Sequence, residues 1–235
     1  MQPVVKDLQR FLTDEETKFH RKLKIQKQAT QYILRKAITK LLLSQYSKLA
    51  PDKVKIFVTS FGKPSLMLSE NIPKLEYNVS HSGEWLLLIF SAEQSVGVDV
   101  EVLKNDFPAI DIATRFFTCG ESRALMECGE PQLVQSFFKI WVRKEAYLKA
   151  VGKGLYEPLN SFEVPMASLQ SSVLRAGAAH EFIGDIEGKW FFYDLRIDSQ
   201  HVGCFVSGFR PHNIKVIDLL FPEQLNIPYR TSLGQ

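Results

Sequence analysis

The sequence predicts an α+β fold of two similar lobes, each a long helix packed on an antiparallel sheet. Three observations predict it: a long amphipathic pattern near the N-terminus, a second around residues 131–151, and runs of short strand-like segments after each. Strands in runs, alternating with single long helices, are the pattern of helices laid on antiparallel sheets. The two halves are alike in layout only, with no residue-level repeat between them. Polar residues and a proline at positions 104–108 interrupt the pattern and divide the chain into lobes of residues 1–104 and 105–235.

The first helix opens at Thr13-Asp14-Glu15-Glu16, a capping box with Thr13 as N-cap and Glu16 reaching back. Phe19, Leu23, Ile33, Ala37, Leu41 and Leu42 then recur at broadly helical spacing. One helix is expected, bent between Gln28 and Gln31 and ending before Pro51. Strands are expected at 54–59, 75–79, 85–91 and 95–100, between Gly, Pro, Ser and Asn residues. A helix over 110–117 precedes a second capping box, Thr118 to Glu121. Pro131 opens the next helix, which carries Phe137, Phe138, Trp141 and Leu148 and stops at Gly152-Lys153-Gly154. Strands close the pattern at 162–164, 190–197, 202–209 and 214–218.

With 235 residues, 45% of them hydrophobic and 23% charged, the chain can bury a core without disulfides or a structural metal. Cys119, Cys128 and Cys204 form no C-x-x-C pair and leave an odd count, which fits a reduced, cytoplasmic compartment. The longest apolar run, Leu86-Leu87-Leu88-Ile89-Phe90, is far short of the roughly 20 residues that cross a bilayer. The first residues lack the basic and apolar regions of a secretory signal. A cytoplasmic protein without a membrane partner is expected. Net charge is +3, but residues 1–50 hold 11 Lys/Arg against 4 Asp/Glu, leaving −4 for the rest. A basic helix of this kind attracts phosphate, nucleic acid or an acidic protein, or is simply a solvated face.

Four clusters could carry chemistry. In Gly97-Val98-Asp99-Val100-Glu101, strand alternation puts Asp99 and Glu101 on one face. Two such carboxylates repel unless a cation lies between them, and hard oxygen ligands suit Mg²⁺. An exposed acidic strand end is the commoner meaning of D-x-E alone. Glu145 and Lys149 stand at i, i+4 on one helix face, which most often means a surface ion pair. Here Trp141, Tyr147 and Leu148 argue for a buried helix, and the Gly-Lys-Gly turn after it offers N–H groups to an anion. Tyr77-Asn78-Val79-Ser80-His81-Ser82-Gly83 is a strand running into a loop of hydroxyl, imidazole and N–H donors, suited to a phosphate. Phe61-Gly62-Lys63-Pro64 sets a lysine in a stiff turn.

Taken together, these clusters resemble the motifs of the large, two-lobed, Sfp-type branch of the 4′-phosphopantetheinyl transferases. The resemblance runs through Gly62–Pro64, Tyr77–Ser82, Gly97–Glu101, Arg115–Glu121 and Trp141–Leu155, and covers roughly residues 18–155. It implies transfer of phosphopantetheine from coenzyme A to a serine of an apo acyl or peptidyl carrier protein. It implies Asp99, Glu101 and Glu145 as ligands of Mg²⁺, or Mn²⁺ in its place. Glu145 would also take the serine proton or help to position the base that does, and Lys149 would bind the pyrophosphate and stabilise the leaving group. Gly62, Lys63, Pro64, Ser80 and His81 would contact the nucleotide and its phosphates, with a basic residue of the first helix region, Arg21, Lys18 or Lys27, beside them. Phe116, Phe117 and Leu125 would either offer apolar surface to the carrier or belong to the core. A monomer follows from the same resemblance, with the active site between lobes.

Two other readings stand beside it. Asp99-x-Glu101 with a basic helix also describes a metal-dependent nuclease, although no lysine follows the acid by two residues on the same strand. A non-catalytic module binding coenzyme A or a carrier protein is the second, against which the intact Asp99, Lys144, Glu145 and Lys149 weigh.

Overall fold

A computed structural model describes residues 3–60, 62–66, 75–92, 94–130, 132–152, 157–167 and 180–218. Its contacts group the chain into two units. One is built from Met1–Lys55, Met67–Pro73 and Lys215–Gln235, the other from Ile56–Leu66 and Lys74–Ile214.

Among the described residues the first unit holds three helices, α1 (Pro3–Leu8), α2 (Asp14–His20) and α3 (Gln26–Ser47). Ile33, Ala37 and Leu41 recur every four residues along α3 and pack on Leu8 and Phe11. The capping box at Thr13 and Glu16 forms as expected. The single helix expected from residue 13 onward is instead broken at residues 21–25, not bent at 28–31. A continuous helix would stack Lys18, Arg21, Lys22, Lys24 and Lys27 at three- and four-residue spacings, where like charges repel. The break lets α2 fold back on α3, so that Glu16 meets Lys36 at 3.2 Å and Lys40 at 2.8 Å. Lys40, 3% exposed, also donates to the Phe11 carbonyl at 2.7 Å.

Among the described residues the second unit carries eight strands and three helices. The strands β1 (Ile56–Val58) and β2 (Pro64–Leu66) pair antiparallel, as do β3 (Glu76–Ser82) and β4 (Trp85–Ser91). A four-stranded antiparallel sheet is formed by β5 (Val96–Val102), β6 (His180–Ile186), β7 (Trp190–Leu195) and β8 (His201–Ser207), in the order β5-β8-β7-β6. The helices are α4 (Ala109–Phe116), α5 (Cys119–Met126) and α6 (Gln132–Val151). The protein is therefore α+β with antiparallel sheets. On one face of the large sheet, Phe192, Val202, Cys204 and Val206 pack with Phe137, Ile140, Ala146 and Ala150 of α6. Burying a side chain such as Phe137 is worth about 1.5–3 kcal/mol. No helix among the described residues is long and apolar enough to cross a membrane.

Several expectations are corrected. Residues 162–164 form no strand, because side chains already serve the backbone there: Lys144 donates to the Phe162 carbonyl and Glu121 accepts from Val164 N–H. No strand lies at 214–218, whereas β2 and β6 are strands that the residue pattern did not announce. Residues 80–82, read as loop, complete β3. Phe117 and Leu125 are core, 4% and 0% exposed, and of the three expected carrier-facing residues only Phe116 is exposed. Phe61, Pro131 and residues 153–155 lie outside the described residues.

Candidate active site

Asp99 and Glu101 alternate along β5, opposite Cys204 and Val202 of β8. Those partners belong to the core packed against α6, so the two carboxylates face the same side. α6 comes close to β5 at Gly97, where a side chain would collide with the Ala146 carbonyl oxygen and the Ala150 nitrogen. The roll of α6 is set by two buried cations. Arg143 holds Asp194 through Nε at 3.0 Å and Nη2 at 2.6 Å, and donates to the carbonyls of Pro165 and Ala167. Lys144 pairs with Glu121 at 2.8 Å and donates to the carbonyls of Leu159 and Phe162. With these two fixed inward, the next residue, Glu145, and Lys149 one turn later turn towards the carboxylates of β5.

A cleft of about 350 Å³ results, lined by Val79, Ser80, His81, Asp99, Glu101, Trp141, Glu145 and Lys149. It brings together six of the residues singled out from the sequence. Lys149 donates to Asp99 Oδ1 at 2.6 Å and to Ser80 Oγ at 3.1 Å, and Ser80 donates to the same Oδ1 at 2.7 Å. Ser82 donates to Glu101 Oε2 at 3.0 Å. Burial raises the Glu145 carboxyl above its usual range, with the charges of Asp99 and Glu101 adding to the effect and Lys149 opposing it. Glu101 is also raised, first by burial and then by Asp99, while Ser82, Lys104 and Lys149 pull the other way.

The remaining expected residues lie elsewhere. Gly62, Lys63 and Pro64 are not among the lining residues. Lys63 meets Glu76 at 3.4 Å and donates to the Ala150 carbonyl at 3.2 Å, near the C-terminal end of α6 where a cation is favoured. Arg21 is exposed and belongs to the other unit, at the C-terminal end of α2. Val79 and Trp141 line the cleft without having been singled out as site residues. The signal for Trp141 was its spacing, one helical turn before Glu145.

Among the described residues no three His, Cys, Asp or Glu side chains form a ready-made metal-binding group. Asp99 Oδ2, however, is buried and without a hydrogen-bond partner. A carboxylate with one oxygen committed and one unmet, beside two further acids, suits Mg²⁺, which takes one or two carboxylates and completes its shell with substrate phosphates and water.

Comparison with known proteins points the same way. Residues 95–206 match the family described as the 4′-phosphopantetheinyl transferase superfamily, and residues 2–94 match 4′-phosphopantetheinyl transferase, N-terminal. The chain is similar to 4′-phosphopantetheinyl transferase Sfp of Bacillus subtilis (strain 168), 29% identical over 66% of this chain and 66% of the relative. It is 31% identical to 4′-phosphopantetheinyl transferase HetI of a Nostoc species over 61% of this chain and 60% of that one. It is 26% identical to the L-aminoadipate-semialdehyde dehydrogenase-phosphopantetheinyl transferase of Rattus norvegicus, over 74% and 60%. The chain thus spans about two thirds or less of these relatives' lengths. Matched in succession by two descriptions of one kind of protein, and carrying its acids and lysine in a single cleft, the chain belongs to the 4′-phosphopantetheinyl transferase superfamily.

Proposed function

We propose that this protein transfers the 4′-phosphopantetheine arm of coenzyme A to a serine of an apo acyl or peptidyl carrier protein, with Mg²⁺ (or Mn²⁺), releasing adenosine 3′,5′-bisphosphate. The observation that carries the reading is the cleft lined by Asp99, Glu101, Glu145 and Lys149, with one Asp99 oxygen buried and unmet. Asp99, Glu101 and Glu145 are the residues that would hold the metal. Bound there, it would supply Lewis-acid shielding of the pyrophosphate oxygens.

The chain's own groups do the rest. Displacement at phosphorus is mostly positioning and charge stabilisation. The carrier serine is a weak nucleophile until a base takes its proton, and the Glu145 carboxylate at the cleft is that base. The serine Oγ–P bond forms as the bond between the two phosphorus centres' bridging oxygen and the attacked phosphorus breaks. The bridging oxygen leaves with adenosine 3′,5′-bisphosphate, and Lys149 meets the charge that develops on it. Ser80 and His81 face the phosphates from β3. Arg21, Gly62, Lys63 and Pro64 are assigned to the nucleotide, and Lys63 must exchange its present partners to reach a phosphate. Val79 and Trp141 give the cleft an apolar side. The basic residues of the first helices steer an acidic carrier. The reading further expects a cytoplasmic monomer of two similar lobes, with neither nucleic acid nor membrane as partner.

Intact-protein mass spectrometry tests it. An apo carrier protein is incubated with the protein, coenzyme A and Mg²⁺, beside an EDTA control. A gain of one phosphopantetheine, abolished by EDTA, is expected. No gain with carriers from several pathways, despite measurable coenzyme A binding, would favour a non-catalytic binding module.

A further inference from the structure

β3 and β5 lie side by side without backbone pairing, and side chains take the place of the ladder. The outward N–H groups of Val98, Val100 and Val102 donate to Asn78 Oδ1 at 3.1 Å, Ser80 Oγ at 3.4 Å and Ser82 Oγ at 3.0 Å. Each pair is separated by 20 residues, so the two strands run in the same direction with one constant offset. Alternate residues of a strand share a face, and three small polar side chains there form a comb along the edge of β5. The comb satisfies donors that would otherwise be buried and unpaired.

Two teeth of the comb do more. A hydroxyl has one hydrogen to give and lone pairs to receive. Ser80 receives from Val100 and gives to Asp99 Oδ1 at 2.7 Å. Ser82 receives from Val102 and gives to Glu101 Oε2 at 3.0 Å. In each case the serine bridges a carboxylate to the backbone of the following residue, which fixes where the carboxylate points. Asp99 has a second anchor in Lys149. Glu101 is attracted by the charges of Lys104 and Lys149, and its hydrogen bond from Ser82 is the contact that orients it.

We propose that Ser82 is a positioning residue that aims Glu101 into the cleft and makes it a metal ligand, acting through the side-chain comb of β3. This rests on the transferase reading of the site. Groups that orient a ligand from behind typically change metal affinity by about 10- to 100-fold when removed.

The test uses the full chain and coenzyme A, with Mn²⁺ binding followed by electron paramagnetic resonance and folding by thermal unfolding. S82A is expected to weaken Mn²⁺ binding roughly 10-fold or more. S82T, which keeps the hydroxyl, is expected to restore it. E101Q is expected to weaken binding similarly, and adding S82A to E101Q to cost nothing further. A purely structural serine would lower the unfolding temperature but show losses that multiply with those of E101Q, and that result would overturn the inference. Should S82A not fold, E101D leaves the comb intact while drawing the carboxylate back from Ser82. Wild-type Mn²⁺ affinity in E101D would overturn the inference equally. Absence of both Mn²⁺ binding and transfer in the unmodified protein would instead overturn the transferase reading on which it rests.

Discussion

Gly97 lies directly beneath Ala146: a methyl group on Gly97 would run into the Ala146 carbonyl oxygen and the Ala150 nitrogen, and stand 3.0 Å from Ala150 Cα. These are backbone atoms of α6, so the clash cannot be relieved by a rotamer change. The close approach also sets how near Glu145 and Lys149 come to Asp99. G97A should therefore lift the helix from the strand, at a cost of about 1–3 kcal/mol or more. Denaturant unfolding should show the loss, and transfer activity should fall further than the remaining folded fraction explains.

Lys149 is the cation that meets both Asp99 and Ser80 in the cleft. K149M keeps an unbranched side chain one atom shorter and removes the charge. If Lys149 stabilises the leaving group, kcat should fall by roughly 10²- to 10³-fold, the usual cost of deleting one such stabilising group. Steady-state kinetics with coenzyme A would show it, and a change in KM alone would contradict this role.

Lys144 and Glu121 form an ion pair in which both side chains are 0% exposed. Burial depresses the lysine's pKa, with Glu121 opposing. K144M leaves the Glu121 carboxylate without its charge partner, and breaking a buried pair in this way costs about 3–5 kcal/mol. Replacing both residues, as in K144M with E121L, should recover part of that loss. The comparison is made by denaturant unfolding of the single and double variants.

Both capping boxes were legible because each is local: four residues name the partners, and the structure has them. The acids of β5 and the Glu145–Lys149 face were legible because strand and helix periods place side chains without reference to the rest of the fold. Arg143 and Lys144 were not legible as core, since charge predicts exposure until distant partners such as Asp194 and Glu121 are known. β6 escaped because Gly184, at φ +142° beside a register shift at Phe182, interrupts its alternation. Ser80 and Ser82 looked like a loop because a strand face that serves another strand's N–H groups is polar and buried at once.

Glu16 gives the protein a defined response to acid. Burial opposes its ionisation, but the Lys40 hydrogen bond, the Thr13 N–H and the charges of Lys40 and Lys36 outweigh this and lower its pKa below the usual 4.5. A carboxylate depressed on folding contributes stability that is present above its unfolded value and lost as pH falls through the folded one. Thermal stability should thus fall as pH drops below 4.5, and E16Q should make that fall shallower. E16Q keeps a competent capping box but leaves Lys40, 3% exposed, without its counter-charge, so it should also be less stable at neutral pH.

Glu145 separates an enzyme from a binding module. Its carboxyl is raised by burial and by Asp99, as suits a group that must accept a proton, and it lines the cleft one helical turn before Lys149. E145Q retains the shape but has neither a basic oxygen nor the charge to hold a metal. Loss of general-base action alone typically costs about 10²- to 10⁴-fold. Turnover should collapse by at least that factor, while coenzyme A binding, which on the proposed reading would draw also on Lys149, Ser80 and His81, should survive in part. Calorimetry for binding and mass spectrometry for transfer measure the two separately. Equal, modest losses in both would mean that Glu145 only helps to seat the coenzyme, and the base would have to be sought elsewhere in the cleft.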